Sequence, residues 1–340
     1  MTEQTDPTMT EAEAAEFHGA MEKAQVYALW EHWDGRYATE PEPPCLWPWE
    51  SIQPLMQTAV GAMTMDQAAE RRVLCLANRD LDENAFAISP HFAINVQILA
   101  PGEHAAPHRH SIHALRFVLA GGSTTIVDGK RCPMDPGDMI LTPAWTWHEH
   151  LHDGTEPAIW VDVLDSPIHR HFDTVGWESG PTNEIPDRIP DTAFHTPGLT
   201  PAGETGNDHH SSMFHYPWVS AVEALVAVPA AVDGSRLLRY TDPVTGAAVM
   251  NRLDCYLLGL DKGVETIRRR STANVACVVA DGAGTTRVGE ETVTWQKNDI
   301  FTLPHGNWIS HCATSEAKLF MVSDREILRR LDLLHDEVEG

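Results

Sequence analysis

Positive charge is what this sequence has least of. Its 340 residues hold 24 Lys and Arg against 49 Asp and Glu, a formal net charge of −25. That balance argues against nucleic acid or an anionic membrane surface as the main partner. It does not forbid an anionic small substrate, because a pocket can carry its own arginine. Cysteine pairing is also missing: the six Cys, at 45, 75, 132, 255, 277 and 312, include no C-x-x-C. The chain therefore reads as a reduced, cytoplasmic protein whose cysteines are small buried apolar side chains. No apolar run approaches the ~18 residues of a membrane span. The acidic segment Met1–Glu16 has neither the basic start nor the apolar centre of a secretory leader. Aromatic residues make up 7%, but 11 of them are Trp, and the 19 His are an excess that needs a reason. With 42% hydrophobic residues the chain can build a core and is not a disordered one.

The length predicts about two domains. Residues 1–9 read as frayed. Apolar residues at three-to-four spacing from Ala15 to Trp30 predict a helix over Thr10–Trp33. Arg36–Trp49, with four Pro, reads as loop, and 65–74 as a short helix or the lead into a strand. The period then shortens. His91–Leu99, Ala114–Leu119, Ser123–Val127, Met139–Leu141 and Ala158–Val163 read as strands of an all-β sandwich or barrel. Residues 166–215, rich in Pro, read as a functional or interface-forming connector. A helix is predicted over Trp218–Val228, strands from Leu237 to Val322, and a C-terminal helix over Ile327–Glu337.

An internal repeat organises this pattern. At an offset of 161 residues Gly102 falls on Gly263, Gly121 on Gly282, Thr124-Thr125 on Thr285-Thr286 and Asp138 on Asp299. Pro143, Trp147 and His150 fall on Pro304, Trp308 and His311. Turn residues in one register pin the same hairpins twice, so the chain holds two copies of one β module.

The first copy reads Gly102-x5-His108-x-His110, then Gly137-x5-Pro143-x4-His148. On a strand, His108 and His110 share one face and Arg109 lies on the other. His148 arrives from a distant strand. Two His from one strand and one from another suit a metal site on a β scaffold, with metal ligands His108, His110 and His148. By parity His150 faces the same way, as a proton-handling group or a hydrogen-bond donor. Arg116, inside the apolar run Ala114–Leu119, needs a partner, either a substrate carboxylate or Asp162. His113 points away from the metal, toward the surface or an interface. His152, His169 and His171 could line the mouth of the site. His209-His210 read as exposed, and His104 as near a turn. In the second copy the ligand positions become Arg269, Ser271 and Ile309, and Arg116 becomes Cys277. That copy should hold no metal. His311 reads as structural, and Arg268-Arg269-Arg270 as a solvated or interface patch.

The two spaced motifs are similar to the paired cupin motifs, and their tandem repeat resembles a bicupin. More specifically, His108-Arg109-His110-Ser111-Ile112-His113-Ala114-Leu115-Arg116-Phe117 together with Pro143-Ala144-Trp145-Thr146-Trp147-His148-Glu149-His150 resembles the gentisate 1,2-dioxygenase family. That family includes the salicylate and 1-hydroxy-2-naphthoate dioxygenases, and the resemblance runs over roughly residues 15–335. It implies an all-β fold of two cupin (double-stranded β-helix, jelly-roll) modules with an N-terminal helical segment (1–70). The metal-binding cupin (71–165), a connector (166–235) and a second cupin with a C-terminal helix (236–340) follow. It implies one Fe(II) per chain in the first cupin, and cleavage of the C1–C2 bond of an ortho-hydroxybenzoate with both atoms of O2 incorporated. The substrate would be gentisate, salicylate or a 5-substituted salicylate such as 5-nitrosalicylate. A homo-oligomer, a tetramer, is the implied assembly. Many cupins add a Glu ligand after the second His; Ala114 and Leu115 stand there instead, which leaves three neutral imidazoles and room for a chelating substrate. Arg72, Gln97 and Asp162 match substrate-pocket positions. Ala93, Asn95 and His113 depart from the usual pattern and suggest a pocket reshaped near the ring substituents. Two other readings remain: a cupin enzyme using another divalent metal, and a non-enzymatic metal-dependent small-molecule-binding cupin.

Overall fold

The computed structural model describes residues 9–32, 41–65, 68, 71–78, 81, 86–180 and 188–340. Residues 1–8 and the stretch from Trp33 to Glu40 lie outside that set, and with them the expectations for a frayed start and the first part of the Pro-rich loop. Contacts divide the chain into two compact units, Met1–Glu40 and Pro41–Gly340.

In the first unit the predicted single helix is two. Thr10 caps Glu11–Ala24 through a capping box: its hydroxyl accepts the Glu13 N–H, and the Glu13 carboxylate accepts the Thr10 N–H at 2.8 Å. Gln25 then takes a left-handed conformation (φ 56°) and stops the helix; a short turn Leu29–His32 follows. Phe17 stacks on Trp30 across the bend.

The second unit carries both β modules, each a six-stranded sheet facing a five-stranded one. In the first module the larger sheet runs, in spatial order, 215–216, 139–142, 114–120, 158–164, 93–99 and 72–75. The smaller runs 177–179, 104–110, 148–151, 123–127 and 130–134. The second module repeats this with 46–47, 300–303, 275–281, 317–323, 254–260 and 235–239, and with 291–296, 283–288, 309–313, 269–271 and 336–338. The two larger sheets share an apolar core in which Phe117 stacks on Phe320 at 4.3 Å.

The repeated glycines have a steric reason. Gly121 and Gly282 both have positive φ, and a Cβ on either would lie 2.4 Å from a backbone carbonyl, of Pro157 and Glu316 respectively. The duplication also reaches further than the motifs that revealed it. Trp47-Pro48-Trp49 and Tyr216-Pro217-Trp218 each end a short strand and open a helix, Trp49–Ala62 and Trp218–Ala227. Each lead-in docks on the other module's copy of one residue: Asp299 accepts the Trp49 N–H and Asp138 the Trp218 N–H, both at 2.8 Å.

Two expectations need correction here. Leu46–Trp47, inside the predicted loop, is a strand, and helix Trp49–Ala62 was not foreseen, because Pro54 sits inside it. The C-terminal helix spans Arg325–Arg330; Asp332 turns left-handed (φ 59°), and Asp336–Val338 pairs with Arg269–Ser271 as a strand. The connector holds a helix (Ser166–His171), a strand (Trp177–Ser179) that pairs with the His108 strand, and a 3-10 turn (Asp191–Phe194). Among the described residues no helix is long and apolar enough to cross a membrane.

Candidate metal centre

Strands His104–His110 and His148–Leu151 pair antiparallel, and the register pairs Ala105 with His150 and His108 with His148. Three steps on one strand face two on the other, so Ala106-Pro107 forms a bulge. Pro107 has no N–H to give a ladder, which suits it to that place. The bulge brings His108, His110 and His148 together: their candidate ligand atoms all lie within 4.8 Å of one another, and all three residues are buried. Their ring centroids stand 4.0, 4.9 and 5.5 Å apart.

The electronic state of this triad suits a metal. Burial lowers the pKa of His108 to about 2, helped by the charges of Arg71 and His110, and burial lowers His110 to about 4. Burial likewise holds His148 well below the usual imidazole value. All three rings are neutral at pH 7 and keep a lone pair. His110 donates Nδ1–H to the Ile112 carbonyl at 2.7 Å, and His148 donates Nδ1–H to the Thr146 carbonyl at 3.1 Å. Those bonds leave Nε2 as the ligand atom, and His148 Nε2 is buried with no hydrogen-bond partner among the described residues. His108 Nδ1 lies between the Ala106 carbonyl at 3.3 Å and Arg71 Nη2 at 2.5 Å. A metal at its Nε2 favours the Ala106 bond. Among the described residues no carboxylate joins this cluster. The residues present therefore fit a divalent metal with neutral nitrogen ligands.

Around the triad the larger sheet contributes a polar wall. The register pairs Asp162 with Asn95 and Arg116, and Trp160 with Gln97. Arg116 Nε stands 3.1 Å from Asp162 Oδ1, and both side chains are almost wholly buried. Arg116 also donates to the Thr142 hydroxyl, and the Trp160 indole N–H donates to Asp162 at 3.0 Å. Burial pushes Arg116 down and Asp162 up, more than their mutual attraction restores. Arg116 Nε, Asp162 Oδ1, Gln97 Nε2 and Asn95 Oδ1 have no well-aligned partner among the described residues. Of the two expected partners of Arg116, Asp162 is the one in contact. His150 faces the same way as His148, its centroid 6.2 Å away, and Thr125 Oγ1 holds its Nδ1 at 2.8 Å.

Arg72 is not part of this group. Val73 pairs with Gln97 and Cys75 with Asn95, so odd-numbered residues of this strand share the face of Gln97 and Asn95, although Cys75 at its end is exposed. Arg72 points the other way and makes two bonds to Glu103, at 2.6 and 2.8 Å. Its neighbour Arg71 has the inward parity and reaches His108. The sequence reading also missed Trp177, which stacks on His108 at 4.3 Å and lies under the Arg71 guanidinium at 4.9 Å. Only the pairing of 177–179 with 104–110 reveals it. Arg109 lies on the outer face with Glu178, as its parity predicts. His113 and His152 are buried, His152 bonded to the Glu156 carbonyl at 2.6 Å. His169 contacts Asp165, and His171 is exposed. His104 opens its strand and pairs with Glu149. His210 is half-buried rather than exposed.

Residues 95–164, which carry all three histidines of the cluster, match the model of the cupin domain. A gentisate 1,2 dioxygenase of Aquipseudomonas alcaligenes is 33% identical over 96% of this chain and 96% of its own. A 5-aminosalicylate 1,2-dioxygenase of a Comamonas species is 31% identical over 94% of this chain and 89% of its own. The chain belongs to the gentisate 1,2-dioxygenase family. A crystal structure of the salicylate 1,2-dioxygenase of Pseudoaminobacter salicylatoxidans with gentisate superposes at a TM-score of 0.90, with 30% identity, over 100% of this chain and 97% of that one. The bicupin architecture of the family is thus the architecture here.

The second cupin lacks the site. Arg269, Ser271 and Ile309 stand at the ligand positions, and Trp295 and Phe301, both fully buried, fill its interior. His311 is buried and bonded to Thr286 at 2.8 Å, so it is structural. Arg268 and Arg270 pair with Glu339 and Glu337.

Proposed function

We propose that this family member is a ring-cleaving 1,2-dioxygenase of an ortho-hydroxybenzoate, with one Fe(II) per chain held by His108, His110 and His148. The observation that carries the reading is the convergence in one barrel of three neutral imidazoles, with no carboxylate among the described residues beside them, and the buried Arg116. Fe(II) would supply there the open coordination positions and the redox chemistry through which dioxygen reacts with an aromatic ring.

The protein side chains do the rest. Arg116, steadied by Thr142 and Asp162, neutralises the substrate carboxylate. Arg71 adds a second cation at the rim. The amides of Gln97 and Asn95 face the ring and meet its substituents. His150 gives its Nδ1–H to Thr125 and keeps an Nε2 lone pair, which takes the phenolic proton. Trp160 and the apolar barrel exclude water. The substrate is gentisate, salicylate or a 5-substituted salicylate such as 5-nitrosalicylate, and the assembly is a homo-oligomer, a tetramer by family resemblance.

The test is oxygen uptake by protein reconstituted anaerobically with Fe(II), with gentisate, salicylate, 5-aminosalicylate, 5-nitrosalicylate and 1-hydroxy-2-naphthoate in turn. Stoichiometric uptake with loss of the aromatic absorption band supports the reading, and the best substrate fixes the specificity. No uptake with any of them, at one iron per chain, overturns it.

A further inference from the structure

The metal-free second module reaches into the metal site through one histidine. His113 follows the ligand His110 by three residues and is buried. Its Nδ1 accepts the N–H of Ala144 at 3.0 Å, so its Nε2 carries the proton and donates to Asn251 Oδ1 at 3.0 Å. Its own N–H goes to Asp165 Oδ1 at 2.8 Å, and Arg252 donates to the other oxygen of Asp165. Asn251 and Arg252 lie just before the first long strand of the second module, Asp254–Leu260.

His113 thereby ties together the two loops that orient the ligands. Ile112, beside it, offers the carbonyl that takes His110 Nδ1–H. Ala144 opens the turn whose Thr146 carbonyl takes His148 Nδ1–H, and the Trp145 N–H of that turn donates to the His110 carbonyl at 2.7 Å. We propose that His113 is a positioning residue for the metal centre, and that the second module, through Asn251 and Arg252, holds it in the tautomer that locks both ligand loops.

The second module contains the same joint without a metal. At the 161-residue offset His113 becomes Asn274 and Ala144 becomes His305. Asn274 Oδ1 accepts the His305 N–H at 3.2 Å, its N–H goes to Asp324 at 2.8 Å, and its Nδ2 is spent on Asp324 at 2.9 Å. His91 of the first module meets Asp324 as Arg252 meets Asp165. An asparagine can therefore make the loop bond. Among the described residues its side chain bonds only to Asp324 and His305, both of its own module.

That internal comparison defines the experiment, which rests on the three-His reading but not on the substrate. Full-length apoprotein is titrated with Co(II) and followed by visible absorption, with thermal melting to confirm that each variant is folded. His113→Ala should weaken binding by about tenfold or more, in the range of lost outer-sphere partners. His113→Asn and Asn251→Ala should each cause the same smaller loss, and the double variant no more than either, because both cut one bond. His113→Ala binding as tightly as wild type, His113→Asn binding as weakly as His113→Ala, or additive losses in the double variant would each overturn the proposal. No Co(II) binding by wild type would overturn the metal reading itself.

Discussion

The two cupins share a frame and differ in what fills it. Gly121 and Gly282 make the same tight turn, and Asp138 and Asp299 grip the other module's lead-in helix at the same distance. Thr125–His150 and Thr286–His311 are each bonded in the interior at the same 2.8 Å. Inside, the first copy keeps three imidazoles, an arginine and an aspartate; among the described residues His148 Nε2 has no hydrogen-bond partner, and Arg116 Nε and Asp162 Oδ1 meet only as a poorly aligned ion pair. Each such atom costs about 1–3 kcal/mol if nothing binds it. The second copy has Cys277, Trp295 and Phe301 there, closed and apolar. Turn and buttress residues thus suffice for the fold, and the polar interior of the first copy is a cost borne for a ligand.

The largest way to sharpen that contrast is to delete a ligand. His108→Ala should lose bound iron and leave below ~1% of turnover, because two imidazoles no longer close the site. His311→Ala, the buried histidine of the other copy, should keep both. Iron retained at the wild-type level in His108→Ala would break the assignment. Next comes Arg116. Arg116→Ala should lower kcat/KM about 30–100-fold, the worth of a charged hydrogen bond of ~2–3 kcal/mol, with iron content unchanged. Cys277→Ala in the second copy should leave kcat/KM alone. If Arg116→Ala sheds iron while substrate affinity holds, Arg116 serves the frame.

A smaller effect separates the copies by pH. Burial lowers His311 from 6.5 to about 4, so its folded form resists protonation. Below pH 6.5 the unfolded chain binds the extra proton, and the stability His311 contributes at neutral pH is lost as pH falls from 6.5 toward 4. At pH 5 that loss is about 2 kcal/mol. His311→Asn should flatten the denaturant midpoint between pH 7 and 5 by about that amount while activity at pH 7 holds. An unchanged slope would show that His311 does not titrate in this range.

The three-histidine cluster was legible because period two and fixed turn residues place His108, His110 and His148 without knowledge of the partner strands. Arg71 was not. Choosing it over Arg72 needs the register Val73–Gln97, which pairing sets and sequence does not display. Trp177 was hidden for the same reason, in a strand of three residues. Helix Trp49–Ala62 was masked by its own Pro54, and the C-terminal pattern was cut short by the left-handed Asp332. Parity did turn His113 away from the metal. What lies on that side is the other module, and only the tertiary structure puts Asn251 against it.

The finest comparison concerns a proton. In the first copy the Thr125 hydroxyl donates to Met134 Sδ at 2.9 Å, so Thr125 accepts His150 Nδ1–H and His150 Nε2 keeps its lone pair. In the second copy Trp295 stands in place of Met134, and its indole N–H donates to Thr286 at 2.8 Å. The Thr286 hydroxyl is then left to donate to His311 Nδ1, which puts the proton on Nε2. One exchange, methionine for tryptophan, reverses the tautomer of an otherwise identical pair. Thr125→Val and Thr286→Val should each cost about 1 kcal/mol of stability, the worth of one buried hydrogen bond. Only Thr125→Val should also lower kcat, by about tenfold with KM little changed, because His150 loses the partner that fixes its basic nitrogen. Equal kcat in the two variants would mean that the Thr–His pair is a strut in both copies and that the proton moves elsewhere.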